Sequence, residues 1–340
     1  MNKILSDRFI RFAKEECKGS SPLYEYLSLQ IAEDDSLLSL SSHAQEGQPI
    51  PNLLFGAVHY LLFKGKGKRL GDYYPSITDN PKKDMPGAFR AFRELCLTND
   101  ECIKEILQTK LVQTNEVRRC AYLYPAFCYI YEKINQPLAL IEIGTSAGLQ
   151  LFWDRYCYSY GNGKKYGNLQ STVHITSKSK GNPIFQENIP IVKSRIGLDL
   201  HISNLNDSED YLWLQALIWP EHHERRDLFR RAANFVKENS PRLIEGDGIE
   251  LLPNILKSIS TESVICIFHT HVANQIPTKK KHDLLNYIRQ IGLTRNVVHL
   301  YNNMFDAELH LDYFLGGKEY NKLIGKTDGH GKWFEWKLNE

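Results

Sequence analysis

Apolar positions in residues 1–136 recur at three- and four-residue spacing, whereas in residues 137–340 they form short runs alternating between strand and helix periods. Ile4, Phe9, Ile10 and Phe12 predict a first helix that ends by the turn at 18–22. Two short helices follow at 23–32 and 36–42, then an apolar helix at 53–63. Residues 64–87 read as a loop, and 88–134 as a helical region in which Thr114 is placed to cap an aromatic-rich helix. The second half predicts strands at 138–143, 195–200, 242–247, 264–268 and 296–300, with helical stretches between them. Two alternating segments at 308–314 and 332–337 predict a closing antiparallel hairpin. A Gly-, Asn-, Lys- and Ser-rich stretch at about 158–194 interrupts the alternation and reads as a β-hairpin insert. The expected organisation is a helical domain over 1–136 and an α/β domain over 137–340 built on a mainly parallel sheet.

The first strand runs into Gly144-Thr-Ser146-Ala-Gly148, and helical spacing resumes from Ala147 through Leu149, Phe152, Trp153 and Tyr156. Strand, glycine turn and helix together aim N–H groups at a bound group. Three acids fall at strand ends on the same edge: Glu142, Asp199 and Asp247. An acid closing the second strand is placed to accept hydrogen bonds from a ribose; an aspartate there is also explained by helix capping, as are Asp207 and Asp247. The turn has GxxxG and not GxGxxG, so it lacks the close backbone access that a pyrophosphate needs. KGKGKRL at 64–70 has neither the preceding strand nor the terminal GK[ST] of a phosphate loop, which favours a solvated turn.

Composition narrows the alternatives. A net charge of +2 gives no electrostatic reason for a nucleic-acid partner. Seven cysteines without a CxxC pair suit free thiols in a reducing, cytoplasmic setting. The apolar run at 53–63 is too short to cross a bilayer, so no membrane role is expected. The oligomeric state stays open.

The stretch from 137 onward resembles the class I S-adenosylmethionine-dependent methyltransferases in its Glu142/Gly144/Ser146/Gly148 turn, Asp199, Gly246-Asp247 and closing hairpin. The resemblance implies a Rossmann-like methyltransferase-type fold. It also implies S-adenosylmethionine as cofactor, held by Glu142, Gly144, Ser146, Gly148, Asp199 and Asp247, and a small-molecule acceptor. Two departures stand out: too few residues for a helix between the fifth strand and the hairpin, and Phe-His-Thr-His after the fourth strand in place of an amine-binding motif. His269 and His271 are the candidate bases or acceptor-orienting groups, with a core histidine and a solvent-facing one as the bland alternative. Asn115, Glu116 and Arg119 are candidates for roofing the pocket. The whole chain also resembles an uncharacterised bacterial family, the domain of unknown function 2332, through SPLYEYL, NLLFGAVHYLL, QTNEVRRCAYLYP, IEIGTSAGLQLFWDRYCYSYG, RIGLDL, IWPEHHERR and DGHGKWFEWKL. Rival readings are a non-catalytic nucleotide-binding module and a metal-dependent hydrolase using the histidines, although no carboxylate sits at a telling spacing for a metal.

Overall fold

The computed structural model describes residues 2–183, 185 and 189–338. Residues 184 and 186–188 of the expected insert, and 1, 339 and 340 of the expected domains, lie outside the described residues. Two compact units are present: Met1–Thr114 with Asn206–Asp227, and Asn115–Leu205 with Leu228–Glu340. The helix Cys120–Ile134 thus goes with the sheet, where Phe127 stacks on Trp153 at 4.6 Å and meets Phe268 edge-on.

The first unit is helical. Its first helix, Asn2–Arg11, continues as a π-helical turn over Phe12–Cys17. Pro22–Ile31, Asp35–Ser41, Ile50–Phe63, Met85–Thr98 and Asp100–Thr109 follow. Ser21, Asp34 and Asp84 each accept a backbone N–H at a helix start, satisfying donors that would otherwise be orphaned. Ile50–Phe63 is buried along most of its length, as its unbroken apolar run implies, and Tyr24 stacks on Phe55 at 4.0 Å in that core. Trp213 and Ala216 join the same core from the returning segment, in the helix Ser208–Ala216. The loop at 64–87 contains one short helix, Lys68–Gly71. Arg69 pairs with Glu94 and Lys64 with Glu209, which fits the solvated-turn reading of KGKGKRL.

The second unit is α/β around a seven-stranded sheet: β1 Leu138–Ile143, β2 Val192–Asp199, β3 Arg242–Glu245, β4 Val264–His269, β5 Val297–Asn302, β6 Glu308–Leu315 and β7 Lys318–Lys326. The order is β7-β6-β5-β4-β1-β2-β3. Strands β1 to β5 are parallel, and β6 runs antiparallel to both its neighbours. Both faces of β1 are buried, as expected for the central strand of a parallel sheet. Ala139, Ile141 and Ile143 share one face with Leu198, Ile267 and Tyr301, covered by Gly248–Lys257 and Thr278–Gly292. Leu140 and Glu142 point to the other face, because successive side chains alternate along a strand.

Three expectations need correction. The stretch after the glycine turn is a seven-residue 3-10 segment, Leu149–Arg155, with a non-helical Phe152, and not an α-helix. The partner of β6 is β7, reached through the Gly316-Gly317 turn, and not the segment at 332–337. As the sequence predicts, there is no helix before β6: only residues 303–307 separate it from β5, and the chain turns straight back as a meander. The insert is not a free hairpin: Cys157–Ser159 pairs antiparallel with Lys165–Gly167 and parallel with His174–Thr176, while Lys178–Lys180 pairs with Trp333–Glu335.

Each unit buries histidine without charge. His59 is enclosed in the first, its Nδ1 2.9 Å from the Ala216 carbonyl and its Nε2 2.7 Å from Ser76 Oγ. In the second, His269 and His299 place their Nε2 atoms 3.1 Å apart, so a single hydrogen lies between the rings. Burial pulls His59 and His269 down to about 3 and His299 well below its usual value. An unfolded chain protonates these rings near 6.5 while the native state does not, so stability is lost as pH falls from about 6.5 toward 3. Each ring adds a slope of about 1.4 kcal/mol per pH unit in that window. The melting temperature should therefore drop steeply between pH 6.5 and 5, ahead of ordinary carboxylate titration; an unchanged melt over that range refutes this account.

Candidate functional site

The end of β2 holds the turn that follows β1. Gly144 N and Thr145 N both donate to the Leu198 carbonyl, at 2.8 and 3.2 Å. Ser146 N donates to Asp199 Oδ2 at 2.7 Å, Ala147 N to Asn115 Oδ1 at 3.4 Å, and Gly148 N to the Thr145 carbonyl at 2.9 Å. Every amide of the turn is thus used inside the protein. With no α-helix behind it, this turn is not an anion cradle of the kind its strand-glycine pattern suggests. Gly144 and Gly148 adopt φ of 76° each, and a Cβ on Gly144 would lie 2.3 Å from Val272 Cγ2, so glycine is required there on packing grounds as well. Ser146 also has positive φ, 48°, and its Oγ accepts from Asn115 Nδ2 at 2.9 Å.

The three strand-end acids differ in environment. Glu142 is buried, with Thr145 Oγ1 2.6 Å from its Oε2. Burial pushes its carboxyl up to about 8, Thr145 opposes, and nearby Asp199 adds to the rise. Glu142 is therefore mostly a neutral acid at pH 7, able to donate as well as accept. Asp199 is half-buried and takes Ser146 N on one oxygen and His201 N, at 3.1 Å, on the other. Burial raises its pKa, and those two amides hold it back. Next to it, Leu200 is 75% exposed. Asp247 caps Gly248–Lys257 by accepting Ile249 N and Glu250 N, and pairs with Lys280. Burial alone would raise it, but Lys280 and the two amides leave its pKa lowered.

Beside the turn, on the β1 face that carries Glu142, buried polar side chains converge. Arg119 Nε donates to the Gly329 carbonyl at 2.9 Å and Nη1 to the Thr270 carbonyl at 3.2 Å. Glu116, not Thr114, caps the helical turn Val117–Arg119, and its Oε2 lies 3.0 Å from His330 Nδ1. Thr270 Oγ1 donates to Gln150 Oε1 at 3.0 Å. His271 stands at the edge of this group with φ 56°, its N–H bonded to Asn302 Oδ1 at 2.7 Å. The Tyr122 hydroxyl lies near Asn302 and Thr270 without a partner at hydrogen-bond geometry.

The structure thus brings Asn115, Glu116, Arg119, Glu142, Gly144, Ser146, Gly148, Asp199 and His271 to one end of the sheet. Asp247 is spent on its own helix. His269 points into the opposite face, against His299 and Tyr301. Tyr122, Gln150, Thr270, Asn302 and His330 were not singled out from the sequence. Tyr122 was detectable as the residue one helical turn beyond Arg119, and His330 through the Asp-Gly-His-Gly turn; the others carry no local signal. Among the described residues, no group of three or more His, Cys, Asp or Glu side chains could hold a metal ion. No helix of the described residues is long and apolar enough to cross a membrane.

The turn also depends on Gly197 of β2, where a Cβ would lie 2.5 Å from Thr145 Cγ2 and 2.6 Å from Leu243 Cδ2. Gly197→Ala should displace Thr145 from Glu142 and cost about 1–3 kcal/mol, as overpacking does. Denaturant melts check this; an alanine variant as stable as the parent contradicts the packing described.

Neither the curated proteins nor the solved structures contain a match to this chain. The profile of one protein family matches residues 6–336, spanning the helical unit, the sheet, the insert and the Asp-Gly-His-Gly turn. The chain accordingly belongs to the family described as uncharacterized protein conserved in bacteria (DUF2332).

Proposed function

We propose that the second unit is a Rossmann-like, methyltransferase-type domain that binds S-adenosylmethionine over the carboxyl ends of β1 and β2 and methylates a small acceptor. The observation that carries this reading is the placement of Asp199. Its carboxylate is pinned beside the glycine turn by two backbone amides, one on each oxygen. Each oxygen keeps a further lone-pair direction, which suits the two hydroxyls of a ribose. Leu200, exposed alongside, offers an apolar surface for a base. The sheet order supports a ligand at the carboxyl end of β1, because the strand order reverses between β1 and β4 and ligands of open α/β sheets lie beyond the strand ends at that point.

The turn itself favours a cofactor without phosphates. With all its amides committed, it has nothing left for a pyrophosphate, while adenosylmethionine makes no such demand. The closing strands agree with a methyltransferase-type sheet in presenting an antiparallel strand beside β5. They depart from the expected pattern in lacking a helix before it.

A second reading is a non-catalytic nucleoside-binding module. It is favoured by the closure of the turn, where Thr145 and Ser146 are 4% and 6% exposed. Ligand at that rim would sit shallowly, and the neutral His271 would have no obligatory reaction to serve.

Calorimetry with adenosylmethionine and adenosylhomocysteine tests the first reading. Wild type should bind both, and Asp199→Asn, which keeps the size of the side chain, should weaken binding about tenfold or more, the loss of about 1.4 kcal/mol or more. Absence of binding by wild type, or equal affinity in the variant, defeats the proposal. Binding with no methyl transfer to any acceptor in a broad panel selects the non-catalytic reading.

A further inference from the structure

We propose that the buried cluster around His271 is a carboxylate-binding subsite, filled by the acidic group of the acceptor or by that of the methyl donor; in this form it rests on the function proposed above. His271 is held from two sides: Asn302 takes its N–H, and Asn303 Nδ2 lies 2.5 Å from its Nδ1. An amide donor on Nδ1 leaves the ring hydrogen on Nε2, and Nε2 is buried with no partner. The Tyr122 hydroxyl, buried in the same cluster, is likewise unpartnered. A buried donor without an acceptor costs about 1–3 kcal/mol, and native proteins rarely tolerate one without a reason.

The missing partner has a definite chemistry. Both unpaired groups present hydrogens, and the Arg119 guanidinium lies between the Thr270 and Gly329 carbonyls beside them. Burial first, and then Arg119 and His330, hold the His271 ring unprotonated against the opposing pull of Asp328. A carboxylate brings two oxygens, one for each donor, and a charge that matches Arg119. The left-handed backbone at His271 fits this account, since strain of this kind persists where surrounding structure fixes a side chain for a task.

The test uses the full chain, isotope-labelled in its histidine rings, with the His271 signal assigned from His271→Gln. Sodium acetate should shift the His271 Nε2 resonance saturably and acetamide should not. Tyr122→Phe should weaken acetate binding about three- to tenfold while leaving the melting temperature unchanged or higher, because it removes an unpaired polar group. No saturable shift, an equal response to acetamide, or a Tyr122→Phe protein with unaltered acetate affinity overturns the subsite. Adenosylhomocysteine moving the same resonance where methylthioadenosine does not assigns the carboxylate to the methyl donor. Acetate still bound beside adenosylhomocysteine assigns it to the acceptor. If neither adenosine compound binds, the methyltransferase reading fails, and the acetate response decides the subsite separately.

Discussion

The carboxyl end of β2 fixes the geometry of everything around the candidate site. The Leu198 carbonyl accepts two amides of the turn after β1, and the Asp199 carboxylate accepts a third. Because these bonds run from side to side across adjacent strands, the turn lies flat against β2 and cannot open upward as the start of an α-helix. The 3-10 segment Leu149–Arg155 and the positive φ of Ser146 follow from that tie. The result is a glycine turn whose donors face inward and whose neighbouring carboxylate faces the rim. Such an edge offers acceptors, and in the function proposed above sugar hydroxyls are the donors that meet them.

Next to this edge the protein keeps an expensive feature. Glu142, Arg119, Glu116, Thr270, Gln150 and Asn302 are all buried, in a region where apolar side chains would pack at lower cost. Most of their polar atoms are paired, and the pairing spans the molecule: residues from the start of the unit meet residues near its end. Networks of this type fix a unique arrangement when satisfied and are costly where they are not. Two atoms of this cluster, the Tyr122 hydroxyl and His271 Nε2, remain without a partner. It is also where pKa values are displaced in opposite senses, Glu142 upward and His271 down to about 3.

Much of the fold was legible because it rests on short-range rules. The apolar runs of β1 and β4, the helical spacing of 53–63, and the acids at strand ends all record local period and capping. What failed locally was the turn at 144–148, whose sequence is compatible with a helix start but whose first three amides are captured by Leu198 and Asp199, more than fifty positions away. The same limit explains the hairpin: the alternation at 332–337 is real, yet its partner is Lys178–Lys180, and strand pairing over that distance leaves no trace in either segment. Asp199 and His271 could be placed from strand ends alone. Tyr122, Gln150 and Asn302 acquire meaning only once helix, turn and β5 are brought together.

The Asp-Gly-His-Gly turn shows why the site cannot be reduced to the sheet. Gly331 lies against the Arg118 backbone so tightly that a Cβ there would come within 2.5 Å of the Arg118 carbonyl oxygen, and its φ is 69°. Ser177 Oγ donates to the Gly331 carbonyl, and Lys178 N to that of Lys332, so the insert holds the turn from the other side. Arg119 and Glu116 then reach Gly329 and His330 from the segment ahead of Cys120–Ile134. Three stretches remote in sequence therefore meet at one polar cluster, each supplying contacts the others need. An insert that served only as decoration would have no reason to brace this turn. Its pairing with the C-terminal strand makes it part of the site's support.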